Sequence, residues 1–380
     1  MKTNQIFAHT MKSKITNAIL VLVAAATAVS CGARHDIEDS SAPLLFQAQD
    51  SNTGSIMAFN VENLFDTLHD ENTNDETYLP KAVKDASPEL QAKCALQTNE
   101  FYKKECLELD WSETVVQAKL KNVAETILSV DGGRGPDVLL VEEVENERIL
   151  VQLRDNHLQN AGYQTLVHIE GFDTRGIDVA VMSRYPLRGQ PILHKIPFKG
   201  LNPEDQAGMD KSRGILEVPL TLPDGSPMTV MALHFPSQSN PRYWREQAVD
   251  FLKQLLANRS DVFTVVGGDF NISAKEEAET KWFSSALSMV GTVSHIAACQ
   301  KCKGTHYYKG EFEFLDALIF PNGSVVRSEL PWKVDLATIE VIRNNPRHVT
   351  PAGVPIRFDP VKMSGVSDHL PIYGKFRKVK

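Results

Sequence analysis

Two apolar runs of strand length constrain the fold of this chain more than any other feature. They read "DVLLVEEV" (137–144) and "DVFTVVGGDF" (261–270). A strand has a continuous apolar sequence when both of its faces are covered, because neither face then needs polar residues. The chain therefore places its sheets inside a layered structure.

Helices and hairpins alternate with these strands. Apolar residues recur at helical spacing in residues 113–130, and Asp224-Gly225 lies between two strand patterns, as a hairpin turn does. A helix is also predicted over 147–161, ended by Gly162, and another after Asn240-Pro241. The mixture predicts an α/β (α+β) fold, a four-layer α/β/β/α sandwich of two mixed β-sheets packed face to face with helices outside.

The rest of the chain shows no second domain. The segments 66–111 and 331–366 lack a strand pattern, and Ser87-Pro88 predicts a helix start within the first of them. Further strands are predicted for "FEFLDALIF" (312–320) and "LPIYGKF" (370–376). The formal net charge of -8 supplies no overall positive field for a nucleic acid or an anionic lipid. Residues 54–380 are therefore expected to form one domain that recognises any phosphate locally.

The first 31 residues have the layout of an export signal. Basic residues are followed by a short apolar run and by small residues up to Cys31. This ending resembles the lipobox of bacterial lipoproteins, which implies lipidation of Cys31, although Ala28 stands where that motif prefers leucine. Plain secretion and an uncleaved membrane anchor are the alternatives. Residues 32–53 are polar and patternless, as a tether is.

Four cysteines follow Cys31 in the sequence: Cys94, Cys106, Cys299 and Cys302. An even number suits disulfides in an oxidising compartment, and pairing of neighbours along the chain is our hypothesis. A zinc site is the rival interpretation, but the second short cysteine pair of a zinc ribbon is missing.

Polar residues collect where the predicted strands end. Asn60 and Glu62 follow the first strand, Glu142 and Glu143 end the second, and the others are His234, Asp269, Asn271, Asp316, Asp368 and His369. Carboxylate and amide oxygens suit Mg²⁺, with Mn²⁺ or Ca²⁺ as alternatives, and an imidazole with a carboxylate can share proton transfer. The pattern predicts metal-assisted hydrolysis of a phosphoester. In this interpretation Gly267 and Gly268 leave space for the phosphate, and an extended backbone turns Asp269 and Asn271 the same way.

These motifs together resemble a known superfamily. "FNVENLFD", "LLVEEVEN", "RGIDVAVMSRYPL", "MALHFPSQ", "VVGGDFN", "FLDALIF" and "SDHLPI" occur in the order found in endonuclease/exonuclease/phosphatase proteins. That superfamily includes DNase I-like nucleases, abasic-site endonucleases, sphingomyelinases and inositol phosphatases. The resemblance covers about residues 55 to 378.

The resemblance implies roles for individual residues. It assigns metal binding to Glu143, Asn60 and Asp368, and favours Glu143 over Glu142, which the residues alone leave open. It implies that His234 contacts the scissile phosphate, that Asp269 activates water or stabilises the leaving oxygen, and that Asn271 binds phosphate. His369 becomes the general base or a phosphate ligand, oriented by Asp316. Asn60, Arg175 and Asp178 are candidate phosphate-binding residues, with salt bridging as the alternative for the last two.

The resulting functional prediction is an exported, metal-dependent DNase I-like endonuclease. Nucleic acid is the expected substrate, and the basic, aromatic segment 299–308 suits base stacking or backbone contact. A disulfide-closed hairpin with ordinary surface lysines is the alternative for this segment. A sphingomyelinase-like phospholipase or an inositol phosphate phosphatase is the alternative, although no apolar hairpin for a membrane is evident. A remote alternative is a catalytically inactive binding protein with the same fold. We expect a monomer, held at the bacterial outer membrane by its lipid anchor, on the periplasmic or the extracellular side.

Overall fold

The computed structural model describes residues 51–257, 259, 261–299, 302–321, 324 and 329–379. The predicted signal segment, Cys31 and residues 32–50 of the tether lie outside the described residues. The first strand begins at Thr53, the last residue of the predicted tether. Within the described ranges, no helix has the length and apolar character needed to cross a membrane.

Fourteen strands and ten α-helices occur in the described part of the chain. The strands are β1 Thr53–Leu64, β2 Val138–Val144, β3 Thr165–His168, β4 Asp178–Ser183, β5 Ile192–His194, β6 Ile215–Thr221, β7 Pro227–His234, β8 Phe263–Asp269, β9 Gly291–Val293, β10 His306–Tyr308, β11 Glu311–Glu313, β12 Asp316–Pro321, β13 Trp332–Val341 and β14 Ile372–Lys378. The helices are α1 Lys81–Ala86, α2 Pro88–Ala95, α3 Glu100–Glu108, α4 Glu113–Ile127, α5 Glu147–Gln152, α6 Pro203–Met209, α7 Arg242–Ala257, α8 Ala274–Thr280, α9 Trp282–Leu287 and α10 Ser294–Ala297.

Most strands form two six-stranded sheets. The first has the order β13-β14-β1-β2-β4-β3 and the second the order β5-β6-β7-β8-β12-β9. Each sheet contains one parallel pair, β1 with β2 and β7 with β8, among antiparallel neighbours. Both sheets are therefore mixed, as predicted, and β10 and β11 form a separate hairpin.

The apolar core is divided into three clusters that define four layers. The cluster between the sheets includes Ala58 and Leu140 from the first sheet and Leu318 from the second. Another cluster packs α4 and α5 on the outer face of the first sheet, and a third packs α7 and α9 on the outer face of the second. The predicted α/β/β/α sandwich is confirmed.

The two glycines before Asp269 serve packing inside the protein. A Cβ atom on Gly267 would lie 2.7 Å from Cδ1 of Leu140 in the opposite sheet. Gly268 has φ +141°, and a Cβ atom there would lie 1.9 Å from the carbonyl oxygen of Leu233. The prediction that these glycines leave space for a phosphate is therefore wrong, because protein atoms occupy that space.

Local predictions were confirmed at helix starts and turns, but the short strands β3, β5, β9 and β10 and the longer β13 were missed. The Ser87 side chain accepts a hydrogen bond from the Leu90 amide and caps α2, and Asp224-Gly225 joins β6 to β7. The segment 331–366, in which we saw no strand pattern, contains β13. Its register against β14 shifts between Asp335 and Glu340, and such a bulge interrupts the alternation by which a strand is recognised.

Candidate active site

Three neighbouring strands of the second sheet bring their polar residues to one edge. His234 at the end of β7 is paired with Asp269 at the end of the parallel β8. Asp316 at the start of the antiparallel β12 is paired with the same Asp269. Because a register pair places side chains next to each other, residues 35 and 47 positions from Asp269 in sequence become its neighbours. The predicted strand "FEFLDALIF" is in fact two strands, β11 and β12, and Asp316 opens the second.

The Asp269 carboxyl group lies at the centre of the site. Its Oδ2 atom accepts a hydrogen bond from Nδ2 of Asn60 at 3.3 Å. The same oxygen lies 3.5 Å from Nε2 of His234 and 3.9 Å from Nε2 of His369. Burial raises the pKa of Asp269 to about 7, with the Asp316 carboxylate adding to the rise and the His369 imidazole opposing it. This carboxyl group can therefore exchange a proton near neutral pH.

His369 forms a dyad with Asp316. Nδ1 of His369 lies 2.8 Å from Oδ2 of Asp316, and both side chains are buried. Burial alone would lower the pKa of His369, but the Asp316 carboxylate, with those of Asp269 and Asp368, holds it well above its ordinary value. The dyad favours an imidazolium whose Nε2–H faces Asp269.

His234 occupies the opposite electrostatic environment. The buried Arg213 guanidinium donates to the carbonyl oxygen of His234 at 3.1 Å. Burial, the positive charges of Arg213 and Arg175, and that of His369 hold the pKa of His234 well below its ordinary value. Nδ1 of His234 has no hydrogen-bond partner among the described residues. The second imidazole is therefore neutral under conditions in which the first is charged.

The predicted metal ligands lie beside this centre. Nδ2 of Asn60 donates to Oε1 of Glu143 at 3.1 Å, and the Asn63 amide donates to Oε2 at 3.1 Å. The Asp368 carboxylate lies 3.7 Å from Nε of Arg357, which also donates to Oε1 of Glu62 at 2.6 Å. Repulsion from Asp368, added to burial, raises the pKa of Glu62. Such a gathering of carboxylates is what a divalent cation stabilises.

The donor set fits a hard divalent cation. Glu143 and Asp368 supply carboxylate oxygens, which are the ligands that Mg²⁺ and its relatives prefer. Asn60 turns Nδ2 towards Glu143, and its Oδ1 accepts a hydrogen bond from the Glu62 amide at 3.0 Å, so its role as a ligand stays a prediction. Glu142 is fully buried, and no described group hydrogen-bonds to either of its carboxylate oxygens. Burial, together with Asp316 and Asp269, raises its pKa well above the ordinary value. Glu143, which bonds Asn60 and the Asn63 amide, stays the predicted ligand of the two adjacent glutamates.

The remaining predicted site residues are Arg175, Asp178 and Asn271. Arg175 has an exposed side chain that pairs with Asp173 at 2.7 Å, and its charge acts on His234. Asp178 is buried, accepts a hydrogen bond from the Gly171 amide and pairs with the His168 ring, so it holds a loop, in line with the salt-bridging alternative. We had expected an extended backbone from Asp269 to Asn271. Asn271 has φ +55°, so this prediction is wrong.

The geometry reveals contributors that the sequence did not single out. Arg213 lies behind His234, and Arg357 links Glu62 to Asp368. The ammonium group of Lys119 is buried and donates to the Val366 carbonyl oxygen, three residues before His369. Each stands outside the strand ends on which the prediction was built. Only the pairing of distant segments could have identified them.

The four cysteines form the two predicted disulfides. Cys94 pairs with Cys106 and Cys299 with Cys302. The first links α2 to α3, and the second lies just before β10. The zinc alternative is therefore wrong.

Comparison with known proteins agrees with this geometry. Residues 94–378 match the family model described as Endonuclease/Exonuclease/phosphatase family. The chain belongs to this family. Its members are metal-dependent phosphoesterases, and this chain is a phosphoric ester hydrolase. Asn60 precedes the matched residues, yet its amide reaches both Glu143 and Asp269.

Several solved structures resemble the chain at low identity. Humanized TDP2 of D. rerio is 15% identical, covers 86% of this chain and 99% of its own, and has a TM-score of 0.47. A family protein of Bacteroides thetaiotaomicron is 12% identical at the same coverages, with a TM-score of 0.48. Beta toxin of Staphylococcus aureus is 15% identical, covers 84% and 99%, and has a TM-score of 0.47. No curated protein matches the chain. These structures say nothing about its substrate.

Proposed function

We propose that this chain is an exported phosphodiesterase that requires a divalent cation and cleaves nucleic acid as a DNase I-like endonuclease. The observation that carries the proposal is the position of the Asp269 carboxyl group between two imidazoles in opposite electrostatic environments. One acid–base group of pKa about 7 and one charged imidazole are what hydrolysis of a phosphodiester requires.

The roles of the residues follow from their charge states. The Asp269 carboxylate takes the proton of the attacking water while the water oxygen forms a bond to phosphorus. The His369 imidazolium, held by Asp316, neutralises charge that develops on the phosphoryl oxygens. The leaving oxygen departs with the electron pair of the broken phosphorus–oxygen bond and is then protonated. Glu143 and Asp368, with Asn60 as a further predicted ligand, would hold a divalent cation, which would polarise the phosphoryl group when bound.

Nucleic acid is favoured as substrate by the surface next to His369. The β10–β11 hairpin and its surroundings carry Lys303, Lys309 and Arg343, each within 6 Å of an aromatic ring. Cations next to aromatic rings suit a chain of phosphates and bases, since both components of the polymer then find a partner.

The first experiment is Mg²⁺-dependent nicking of plasmid DNA by the purified chain. The wild type should nick the plasmid, and EDTA or the His234→Ala/His369→Ala double variant should abolish the nicking. Folded, metal-binding protein that leaves DNA intact would overturn the nucleic-acid part of the proposal. A double variant as active as the wild type would overturn the assignment of the site.

A second candidate function is hydrolysis of a phospholipid headgroup. The sequence had shown no apolar hairpin for a membrane, but the end of α2 exposes Leu96, 79% accessible, and the start of α3 exposes Phe101, 68% accessible. The Cys94–Cys106 disulfide links these two helices. Co-sedimentation with phosphatidylcholine vesicles tests the candidate: the wild type should pellet and a Leu96→Ser/Phe101→Ser variant should remain in solution. Equal partition of both proteins would exclude it.

Export and anchoring rest on the sequence of residues 1–31 alone. We propose that the chain is lipidated at Cys31, faces the periplasm or the exterior at the outer membrane, and acts as a monomer. Intact mass of the membrane-extracted protein should show cleavage before Cys31 and added acyl chains, both absent in Cys31→Ser. Light scattering should give the mass of one chain.

A further inference from the structure

The β10–β11 hairpin is attached directly to the catalytic dyad. His306 of β10 forms an isolated bridge with His369. The amide of Leu370 donates to the carbonyl oxygen of Thr305 at 2.6 Å, and the amide of Asp316 donates to the Thr305 hydroxyl at 3.1 Å. Because Thr305, the residue that precedes β10, is bonded to Asp316 and to Leu370, the residue after His369, the hairpin has a fixed position relative to the dyad.

Three rings on this side form a continuous series from the buried dyad to solvent. The His306 ring lies 4.9 Å from the His369 ring, between centroids. The Tyr308 ring follows at 6.4 Å from that of His306, with their planes 27° apart. His306 and Tyr308 are two residues apart on one strand and therefore share a face. Exposure rises along the series, from 6% for His369 to 57% for Tyr308.

The outer rings of the series, those of His306 and Tyr308, do not belong to the apolar core clusters of the described residues. Tyr307, on the other face of β10, packs on Phe312 at 4.9 Å between ring centroids. On the face of His306 and Tyr308, the exposed tyrosine ring is contacted by Lys309, whose Nζ lies 5.1 Å from its centroid. Nδ1 of His306 is buried and has no partner among the described residues. A planar group with hydrogen-bonding edges would meet both features.

We propose that His306 and Tyr308 form a base-stacking subsite for a nucleotide next to the scissile phosphate. The inference rests on the proposed function and names its substrate class. A base can stack on Tyr308 only when one face of that base is free. In a duplex, neighbouring base pairs cover both faces of each base. The enzyme therefore prefers single-stranded or frayed nucleic acid over intact duplex, and tolerates any sequence, since every base offers a π-face.

Binding to this subsite can be measured without cleavage. The full chain is titrated in EDTA into a single-stranded oligonucleotide carrying one 2-aminopurine, whose fluorescence falls when the base stacks. The wild type and Tyr308→Phe, which keeps the ring, should quench the fluorescence. Tyr308→Ala should lose most of the quenching. Leu201→Ala, which removes a similarly exposed apolar side chain ahead of α6, should behave as the wild type.

Turnover gives the second measurement. The ratio of kcat/KM for a single-stranded oligonucleotide to kcat/KM for bis(p-nitrophenyl) phosphate should fall about 5- to 150-fold in Tyr308→Ala, the range that stacking of one base supplies. The ratio should be retained in Tyr308→Phe and Leu201→Ala. Wild-type preference for single strands over duplex should fall by a similar factor in Tyr308→Ala.

The outcomes separate this inference from the proposed function. Cleavage of DNA with equal quenching and equal ratios in Tyr308→Ala would overturn the subsite and leave the nuclease intact. Quenching that depends on the tyrosine ring, in a protein that cleaves no nucleic acid, would support the subsite and overturn the proposed function. Absence of both quenching and cleavage in the wild type would overturn both.

Discussion

The two histidines of the active site lie in opposite electrostatic environments. His369 faces the carboxylate of Asp316 at 2.8 Å, whereas His234 is backed by the guanidinium of Arg213. Both imidazoles are buried and both direct Nε2 towards the same oxygen of Asp269. Burial is common to the two residues, so the difference in their pKa values comes from the sign of the neighbouring charge.

The comparison teaches how one site divides its acid and base chemistry. Two equivalent imidazoles would compete for one proton near neutral pH and neither would have a fixed role. Opposite neighbours separate them, so that one is a cation that can stabilise charge and the other is neutral. Asp269, with its pKa of about 7, lies between them and can take up or release a proton near neutral pH.

Removing the charged imidazole should have the largest effect. We expect His369→Ala to lower kcat about 10³- to 10⁴-fold, the upper part of the range for positioned acid–base groups, because the imidazolium faces both Asp269 and the reacting phosphate. Initial rates with plasmid DNA and Mg²⁺ test this. Turnover within tenfold of the wild type would place the chemistry elsewhere.

Asp316→Asn should make the His369 side resemble the His234 side. The amide keeps the shape of the carboxylate but removes its charge, so the pKa of His369 should fall and kcat should decrease about 10²- to 10³-fold. The loss of activity at high pH in the pH–rate profile should begin at a lower pH than in the wild type. An unchanged profile would mean that Asp316 does not set the charge of His369.

Arg213→Gln removes the positive charge next to His234, on the other side of the comparison. Loss of the guanidinium leaves Asp173 with Arg175 alone, and removing one partner of a buried pair costs about 3 kcal/mol of unfolding free energy. Urea denaturation measures this cost. Arg175→Gln is the control, since its side chain is exposed and its removal should cost less than about 1 kcal/mol.

His348 tests whether burial without a carboxylate partner lowers a histidine pKa. Burial lowers the pKa of this residue to about 3. The unfolded chain binds this proton below the ordinary value of 6.5 and the folded chain does not, so stability is full above pH 6.5 and is lost as pH falls. Between pH 7 and 5 the loss should be about 2 kcal/mol, at about 1.4 kcal/mol per pH unit below 6.5.

The control for this smallest effect is His348→Gln, which cannot titrate. Between pH 7 and 5, the unfolding free energy of His348→Gln should fall by about 2 kcal/mol less than that of the wild type. Urea denaturation at both pH values gives the four free energies. Parallel pH dependence in the two proteins would show that His348 titrates normally in the fold.

Much of this site could be predicted because its residues stand at strand ends. The apolar runs fix where β2 and β8 finish, and the polar residues that follow are visible in the sequence. Arg213 could not be predicted in the same way, because it reaches His234 only through the pairing of β6 with β7. The role of Gly268 depends on the Leu233 carbonyl oxygen of a neighbouring strand. Contacts between segments distant in sequence leave no local pattern.

Selective ¹⁵N labelling of histidine tests the central claim most directly. In the metal-free protein at pH 7, the ring nitrogens of His369 should both carry protons, and those of His234 should show one protonated and one free nitrogen. His369→Gln and His234→Gln variants assign the two signals. Two imidazoles that titrate together near pH 6.5, or a charged His234 beside a neutral His369, would contradict the division of roles.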